Sequence, residues 1–316
     1  MLLRPLERIC IIMVLAMFAI NVTLASWKGV SVSEELLIAA GIVAASAIII
    51  GLFFRTLKKD DTLSLLFLNT GILFLFTFSA AVYSHLLPPF SGGTIDSKLV
   101  EMDSWLGFHW PDIMAWAAQN PNLSELMRLA YDASTWLVLV TFLVVALHTN
   151  HARAYAFMLA IFVSAITTIT IWALFPSAGA SAYWSLAPQI EQAVNPIVGT
   201  EYGQQLLAWY QAGIGDINML QQKGLVGFPS YHTVMTLICI FGLWGYWKSL
   251  AIASPIILMT IPAIFVHGGH NFMDFLGGAA ITIGAVYAAQ KICNWSNKAS
   301  QSTPERASGA TQGQIG

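Results

Sequence analysis

Charged residues are scarce in this sequence, and their scarcity excludes an ordinary water-soluble domain. Only 9% of the 316 residues are charged, whereas 57% are hydrophobic and the mean hydropathy is +0.68. A soluble domain carries about 25% charged residues. We therefore predict an integral membrane protein.

Cysteine is scarce as well, which argues against a disulfide framework or a cysteine-based metal site. The three cysteines, Cys10, Cys239 and Cys293, lie in apolar runs without metal-ligand spacing. We interpret them as small buried hydrophobic side chains. The sequence also contains no dinucleotide-binding glycine fingerprint, phosphate-binding P-loop or zinc-finger spacing, and no repeat of roughly 20–50 residues.

Long apolar runs are abundant, and eight of them are candidates for membrane spans of about 20 residues. Such runs must be helical, because lipid offers no hydrogen-bond partners to backbone N–H and C=O groups. We predict an all-α polytopic membrane bundle in which two N-terminal helices precede a six-helix catalytic core. The predicted spans are residues 9–26, 35–54, 63–87, 133–148, 154–175, 231–248, 251–267 and 271–292.

These runs divide the chain into three predicted regions. Residues 1–60 hold the two N-terminal transmembrane helices, and residues 61–294 form the catalytic membrane domain. Residues 295–316 are rich in Ser, Gln and Gly and form a disordered cytoplasmic tail. The first run also fits a signal peptide, but we favour an uncleaved helix.

Lysine and arginine predict the direction in which the chain crosses the membrane. With the N-terminus in the cytoplasm, ten of the 14 lie inside and four outside, which agrees with the excess of these residues in cytoplasmic loops. Segments 88–132 and 176–230 then face outward, and their aromatic residues suit an amphipathic substrate that enters from lipid. Because the chain lacks eukaryotic retention signals, we expect a bacterial inner-membrane protein whose active site faces the periplasm.

Two polar stretches interrupt the apolar pattern on the outward side: GFPSYHT, residues 227–233, and GGHNFMD, residues 268–274. One helical hairpin separates them, so His232 and His270 are expected to meet. Asp274 follows His270 by four residues, and if a helix starts near His270 the two share one of its faces. The aspartate can accept a hydrogen bond from one imidazole nitrogen and leave the other as a nucleophile or base.

The backbone around both histidines is suited to bind an anion. Pro229 and Ser230 predict the start of a helix, where free N–H groups favour negative charge. Gly268 and Gly269 allow the backbone to approach a ligand closely. Two anion sites with a histidine beside each indicate phosphoryl transfer, in which one histidine attacks phosphorus and the other protonates the leaving oxygen.

The two motifs together resemble the second and third motifs of the type 2 phosphatidic-acid phosphatase superfamily. Tyr231 in PSYHT, together with the Gly-Gly-His sequence, resembles the inositol phosphorylceramide synthase-like branch. FPSAGASAYW, residues 175–184, is similar to a Pro-Ala-x-Gly-Pro stretch of that branch, and the whole resemblance covers residues 103–290.

The resemblance implies a role for each matching residue. His270 would be the nucleophile that forms a phosphohistidine, Asp274 would orient it, and His232 would act as general acid and then as base. Ser230 and the backbone beside it would hold phosphate oxygens. The resemblance implies no metal and no other cofactor.

The sequence departs from the superfamily in its basic residues. The first motif, a lysine six residues before Arg-Pro, is not evident, and Ile264 stands where an arginine is expected six residues before the third-motif histidine. Another cation must then neutralise the phosphate charge. Lys223 is the first candidate and Arg128 is the second. The predicted substrate-binding residues are Lys223, Ser230, Tyr231 and Gly269.

Several functions stay open at this stage. With water as acceptor the protein would be a lipid-phosphate phosphatase, and with an alcohol it would be a phosphotransferase or a headgroup transferase of the inositol phosphorylceramide synthase type. The alternatives are a metal-dependent hydrolase that uses His267 with the three catalytic candidates, and a transporter. His85 and His109 face outward and are interpreted as residues without a functional role, with a substrate mouth as the alternative. The expected partners are a lipid phosphate and membrane lipids, without nucleic acid and with no prediction of oligomeric state.

Overall fold

The computed structural model describes residues 3–87, 93–148, 151–212, 215–217 and 225–301. Helix dominates this part of the chain, as its apolar composition requires. In chain order the helices are α1 (Pro5–Lys28), α2 (Glu34–Phe53), α3 (Asp61–Leu86), α4 (Asp96–Trp105), α5 (Trp110–Gln119), α6 (Pro121–Leu147), α7 (His151–Leu174), α8 (Ala180–Tyr183), α9 (Pro188–Val194), α10 (Thr200–Ala212), α11 (Tyr231–Leu243), α12 (Trp247–Val266) and α13 (Phe272–Gln301).

Seven helices of the described residues are long and apolar enough to cross a membrane, and α11 is a shorter apolar helix of 13 residues. They correspond to the eight predicted runs, which confirms the all-α polytopic membrane bundle. Two boundaries differ most. α6 begins at Pro121 rather than at 133, because the amphipathic stretch before the apolar run is also helical. α13 extends to Gln301, past the predicted start of the tail at 295, and residues 302–316 lie outside the described residues.

The centre of the bundle is α7. In its most apolar stretch 67% is buried, compared with 22% for α1 and 17% for α2. α7 packs against α3, α6, α11 and α13, while α12 packs against α6 and α11. Stacking of Phe76 on Phe162, with 3.7 Å between ring centroids, joins α3 to α7. These six helices form the core, and α1 and α2 lie against it mainly through α3.

One end of the bundle carries the two histidine motifs, and we call it the histidine end, defined by His232 and His270. There α11 and α13 begin, and the short helices α4, α5, α8, α9 and α10 pack over the ends of the long ones. α4 and α5 lie within segment 88–132, which is predicted to face outward. Trp105 and Trp116 on these helices are exposed, as expected for rings at the headgroup level.

The other end, which we call the Glu7 end, is held together by one buried carboxylate. Glu7 of α1 is fully buried and pairs with Arg55 through two hydrogen bonds, 2.6 and 2.8 Å long. Arg55 lies on the π-helical turn Phe54–Lys58 that continues α2. The hydroxyl of Tyr155 on α7 donates to the same carboxylate at 2.8 Å. This contact therefore joins both N-terminal helices to the central helix.

Candidate active site

A cavity of about 270 Å³ lies inside the bundle at the histidine end. Its wall is mostly apolar and comes from α3, α7, the segments 178–179 and 225–227, and the two histidine motifs. His232 and His270 both lie in this wall. The structure therefore brings together the two histidines that the hairpin argument places on one side, although 38 positions separate them in the sequence.

The predicted pair of His270 and Asp274 is present. Nδ1 of His270 lies 3.1 Å from Oδ2 of Asp274, and the two side chains are 5% and 0% exposed. The N–H of Asn271 donates to the same oxygen at 2.9 Å. Because the carboxylate accepts from Nδ1, that nitrogen carries the proton and the lone pair of His270 is on Nε2. A nucleophile needs this arrangement.

His232 is held by a residue that the sequence did not reveal. The hydroxyl of Tyr131 on α6 lies 3.1 Å from Nδ1 of His232. The two rings also stack, with centroids 4.0 Å apart and planes 20° from parallel. Tyr131 is 101 residues from His232 and lies in an amphipathic stretch with no motif around it. Since Nδ1 is engaged, Nε2 is the nitrogen of His232 left for proton transfer.

Ser230 forms the predicted N-cap of α11. Its hydroxyl accepts from the N–H of Thr233 at 3.4 Å, and its own N–H donates to the carbonyl of Asp274 at 3.0 Å. The second contact ties one motif directly to the other. A Cβ atom at Gly278 would lie 2.5 Å from the carbonyl oxygen of Ser230, so the close approach needs glycine there. Tyr231 lies in the cavity wall, whereas Ser230 is fully buried behind it.

The two glycines of the third motif serve close packing. Gly269 has a φ of +63°, and a Cβ atom there would lie 2.5 Å from the hydroxyl of Ser181. At Gly268 a Cβ atom would lie 2.9 Å from the ring of Tyr131. Gly268 is in the cavity wall and Gly269 packs behind it against α8. A substrate contact at Gly269 stays a prediction.

The first turn of α13 is not free to bind an anion, because a carboxylate of the protein accepts hydrogen bonds from its N–H groups. Asp103 of α4 accepts from the N–H groups of Phe272 and Met273 at 2.8 and 2.9 Å. Burial raises the pKa of this carboxyl, and the two N–H bonds oppose the rise. Asp103 lies 169 residues from Phe272 and was not identified from the sequence.

A second buried aspartate holds the segment that resembles the Pro-Ala-x-Gly-Pro stretch. Asp96 accepts from the hydroxyl of Ser177 at 2.6 Å and from the N–H groups of Ala178 and Gly179 at 3.1 and 3.0 Å. Ala178 and Gly179 lie in the cavity wall. This segment therefore forms part of the cavity wall, and Asp96 holds it in place.

The positive charge for a phosphate is not found among the described residues of the cavity wall, which include neither lysine nor arginine. Ile264, at the position of the expected arginine, is buried in α12. Lys223 lies outside the described residues, but Leu225, two positions later, is in the cavity wall. Arg128 is half-buried on α6, one turn before Tyr131. Both cations stay predictions.

His267 does not join the other two histidines. Its Nε2 lies 2.8 Å from the carbonyl of Ser124 and 3.3 Å from its hydroxyl, which ties the end of α12 to α6. Burial lowers the pKa of His267, and the charge of Arg128 lowers it further. Within the described ranges, no group of three or more His, Cys, Asp or Glu side chains is placed to share a metal ion. The ligand set of the metal alternative is thus not assembled.

Comparison with known proteins gives one match. A family model described as the PAP2 superfamily matches residues 97–288, which is more than half of the chain. The matched region contains both histidine motifs and begins after α3. Neither a curated protein nor a solved structure matches the chain significantly.

Proposed function

The chain belongs to the PAP2 superfamily, and from that premise we propose that it acts on a lipid phosphate through a phosphohistidine at His270. Membership supports a phosphatase or phosphotransferase. The observation that carries the finer proposal is the pair of histidines in one cavity wall, each with its Nδ1 engaged. Their Nε2 atoms are then the ones available for chemistry.

In the first step, Nε2 of His270 attacks phosphorus as the bond from phosphorus to the leaving oxygen breaks. Protonated His232 donates its Nε2 proton to that oxygen, while Tyr131 holds Nδ1. The positive charge that develops on the His270 ring is stabilised by the buried carboxylate of Asp274.

In the second step, water or an alcohol gives a proton to His232, and its oxygen attacks the phosphorus. The N–P bond then breaks and His270 is regenerated. Water as acceptor gives a phosphatase and an alcohol gives a phosphotransferase. Tyr231 in the cavity wall favours the inositol phosphorylceramide synthase-like branch, in which a headgroup would pass to an alcohol.

The phosphate charge is assigned to Lys223 and to the N–H groups at the start of α11, with Arg128 as second candidate. The first N–H groups of a helix lack partners within it and lie at the positive end of its dipole. A hydrogen bond to a charged group contributes about 1.5–3 kcal/mol, so a lysine and a helix terminus are a workable substitute for the arginine absent at Ile264.

The lipid character of the substrate is supported by the apolar wall. Ligand pockets span roughly 300–1,000 Å³, and a cavity of about 270 Å³ lies just below that range. It would hold the phosphate and the atoms next to it, with the remaining chain in lipid. We place the N-terminus in the cytoplasm of a bacterial cell and the histidine end at the periplasmic face, on the distribution of lysine and arginine.

The test measures phosphate release from a panel of lipid phosphates by protein purified in detergent with EDTA. Wild type is compared with His270→Ala and His232→Ala, and His148→Ala outside the cavity is the control. We expect release to fall by about 10³-fold or more in both site variants, and acid-labile phosphate on wild-type protein but not on His270→Ala.

Retention of activity by His270→Ala, or loss of wild-type activity to EDTA, would overturn the proposal. If no phosphate is released, the same esters are tested with diacylglycerol or ceramide as acceptor. Transfer without hydrolysis would identify a transferase, and absence of both reactions would reject the function.

A further inference from the structure

The wall of the cavity that α3 contributes contains a buried histidine that the proposed mechanism does not use. His85 is 7% exposed and lies in the same wall as His232 and His270. It precedes the segment that matches the PAP2 superfamily. The side chain therefore belongs to the site in space but not to the motifs that identify the reaction.

The hydrogen bonds of His85 fix where its lone pair is. Nδ1 lies 2.8 Å from the carbonyl oxygen of Ala81, and Nε2 has no partner among the described residues. A carbonyl only accepts, so Nδ1 carries the proton. In the neutral ring Nε2 is then an acceptor, which is suited to an O–H or N–H donor on a ligand.

Thr168 lies in the same wall and also has an unpaired polar atom. Oγ1 of Thr168 on α7 is fully buried and makes no hydrogen bond within the described part of the chain. By contrast, the hydroxyls of Thr77 and Ser84 in this wall already donate to backbone carbonyls at 2.9 and 2.7 Å. A buried polar group without a partner is costly. His85 and Thr168 are thus the groups of α3 and α7 here that are left to bind a ligand.

The size of the cavity suits a phosphate with a short unit beside it. A water molecule takes about 30 Å³ of liquid, so about 270 Å³ corresponds to roughly nine atoms of that size. A phosphate and a three-carbon unit have about this size. We therefore place the donor that reaches His85 on the carbons next to the phosphate ester.

We propose that His85 and Thr168 form a subsite that selects lipid phosphates with a free hydroxyl on the carbons beside the phosphate ester. The hydroxyl donates to Nε2 of His85, and Thr168 donates to the hydroxyl oxygen. The subsite makes and breaks no bond, so His85 is a specificity-determining residue. This proposal rests on the proposed function, because selectivity is read from phosphate release.

The experiment uses two synthetic esters that differ by one hydroxyl: 1-acylglycerol 3-phosphate and 3-acyloxypropyl phosphate with the same acyl chain. The quantity measured is the ratio of kcat/KM for the two esters. Wild type is expected to favour the hydroxyl ester by about tenfold or more, since a site built to bind a hydroxyl discriminates against an analogue without it. His85→Phe is expected to bring the ratio near one.

His148→Phe is the matched control. Nδ1 of His148 bonds the carbonyl of Val144 four residues earlier, as Nδ1 of His85 does, but the residue is exposed and is not in the cavity wall. It is expected to keep the wild-type ratio. His85→Gln, which retains an acceptor, is expected to restore part of the preference, and Thr168→Val to reduce it.

The outcomes separate the two proposals. Release from both esters without a preference in wild type, or a preference that survives in His85→Phe, would overturn the subsite and leave the function standing. Absence of release from either ester, with and without an alcohol acceptor, would reject the function and the subsite together. Because the ratio is independent of the amount of folded enzyme, partial unfolding of a variant does not obscure the result.

Discussion

Glu7 and Asp274 are both fully buried carboxylates, but they lie at opposite ends of the bundle and are bound differently. Glu7 accepts from the guanidinium of Arg55, the hydroxyl of Tyr155 and the N–H of Arg4, so both of its oxygens are engaged. At Asp274, Oδ2 accepts from His270 and Asn271, whereas Oδ1 has no partner among the residues that the structure describes.

The identity of the partner explains the difference. Arginine stays charged under all physiological conditions, so the pair at the Glu7 end is permanent and its contribution is to hold helices together. Histidine gains and loses a proton near neutral pH, so the pair at the histidine end can change charge during a reaction. The fully paired carboxylate of Glu7 is a structural contact, and the incompletely paired carboxylate of Asp274 lies beside the proposed nucleophile.

The largest expected effect tests the carboxylate at the histidine end. Asp274→Asn removes the charge that orients His270, and loss of a carboxylate in this role costs about 10⁴-fold in kcat, or about 5.5 kcal/mol in the barrier. The rate of phosphate release per folded molecule is the measurement. Thr282→Val removes a buried hydroxyl from the same helix, where it bonds the carbonyl of Gly278, and should leave the rate within a fewfold of wild type. Equal losses of rate in Asp274→Asn and Thr282→Val would show that the carboxylate of Asp274 has no special role in the reaction.

The carboxylate at the Glu7 end should show the opposite profile. Glu7→Ala leaves Arg55, whose side chain is 11% exposed, without its carboxylate partner, and we expect the free energy of unfolding to fall by about 4 kcal/mol. Denaturant unfolding in detergent measures this loss. The exposed Glu35 on α2 supplies the control, since Glu35→Ala should change stability by less than about 0.5 kcal/mol. A drop in kcat per folded molecule without a loss of stability would show that Glu7 belongs to the catalytic machinery.

The smallest effect is expected for two tyrosine hydroxyls, one at each end of the bundle. Tyr131 bonds His232 at the histidine end, and Tyr155 bonds Glu7 at the Glu7 end. Tyr131→Phe keeps the ring that stacks on His232 but removes its hydroxyl, and we expect kcat to fall about tenfold, or about 1.4 kcal/mol. The limb of the pH profile that reports His232 should shift with little change in KM. Tyr155→Phe removes the hydroxyl that bonds Glu7 and should lower stability by a similar amount with an unchanged profile. If both variants changed kcat, or both changed only stability, the distinction between a catalytic end and a structural end would be wrong.

Much of the site was predictable because its motifs are local. The positions of His270 and Asp274, four apart, place both on one side of a helical start, and the structure has them in contact. The hairpin between the motifs returns the chain to the side it left, so His232 and His270 line one cavity. Ser230 begins α11 as its residue type and position indicate.

Other parts of the site depend on pairs that are distant in the chain. Tyr131 reaches His232 across 101 residues, and Asp103 caps α13 across 169. No local pattern distinguishes these side chains from the amphipathic stretches around them. The Asp103 contact also means that the first N–H groups of α13 are not free to bind an anion. Lys223, the predicted phosphate contact, lies outside the described residues and stays a prediction.

The sequence by itself determined that this chain is a bundle of membrane helices with two histidine motifs at one end, because hydrophobicity, helical period and hairpin direction are properties of neighbouring residues. Only the tertiary structure decided which polar atoms find partners. Pairing depends on how helices pack, and packing places Arg55 against Glu7 but leaves Nε2 of His85 without a partner in the described chain. The paired charges hold the fold together, and we assign the unpaired Nε2 of His85 to the substrate.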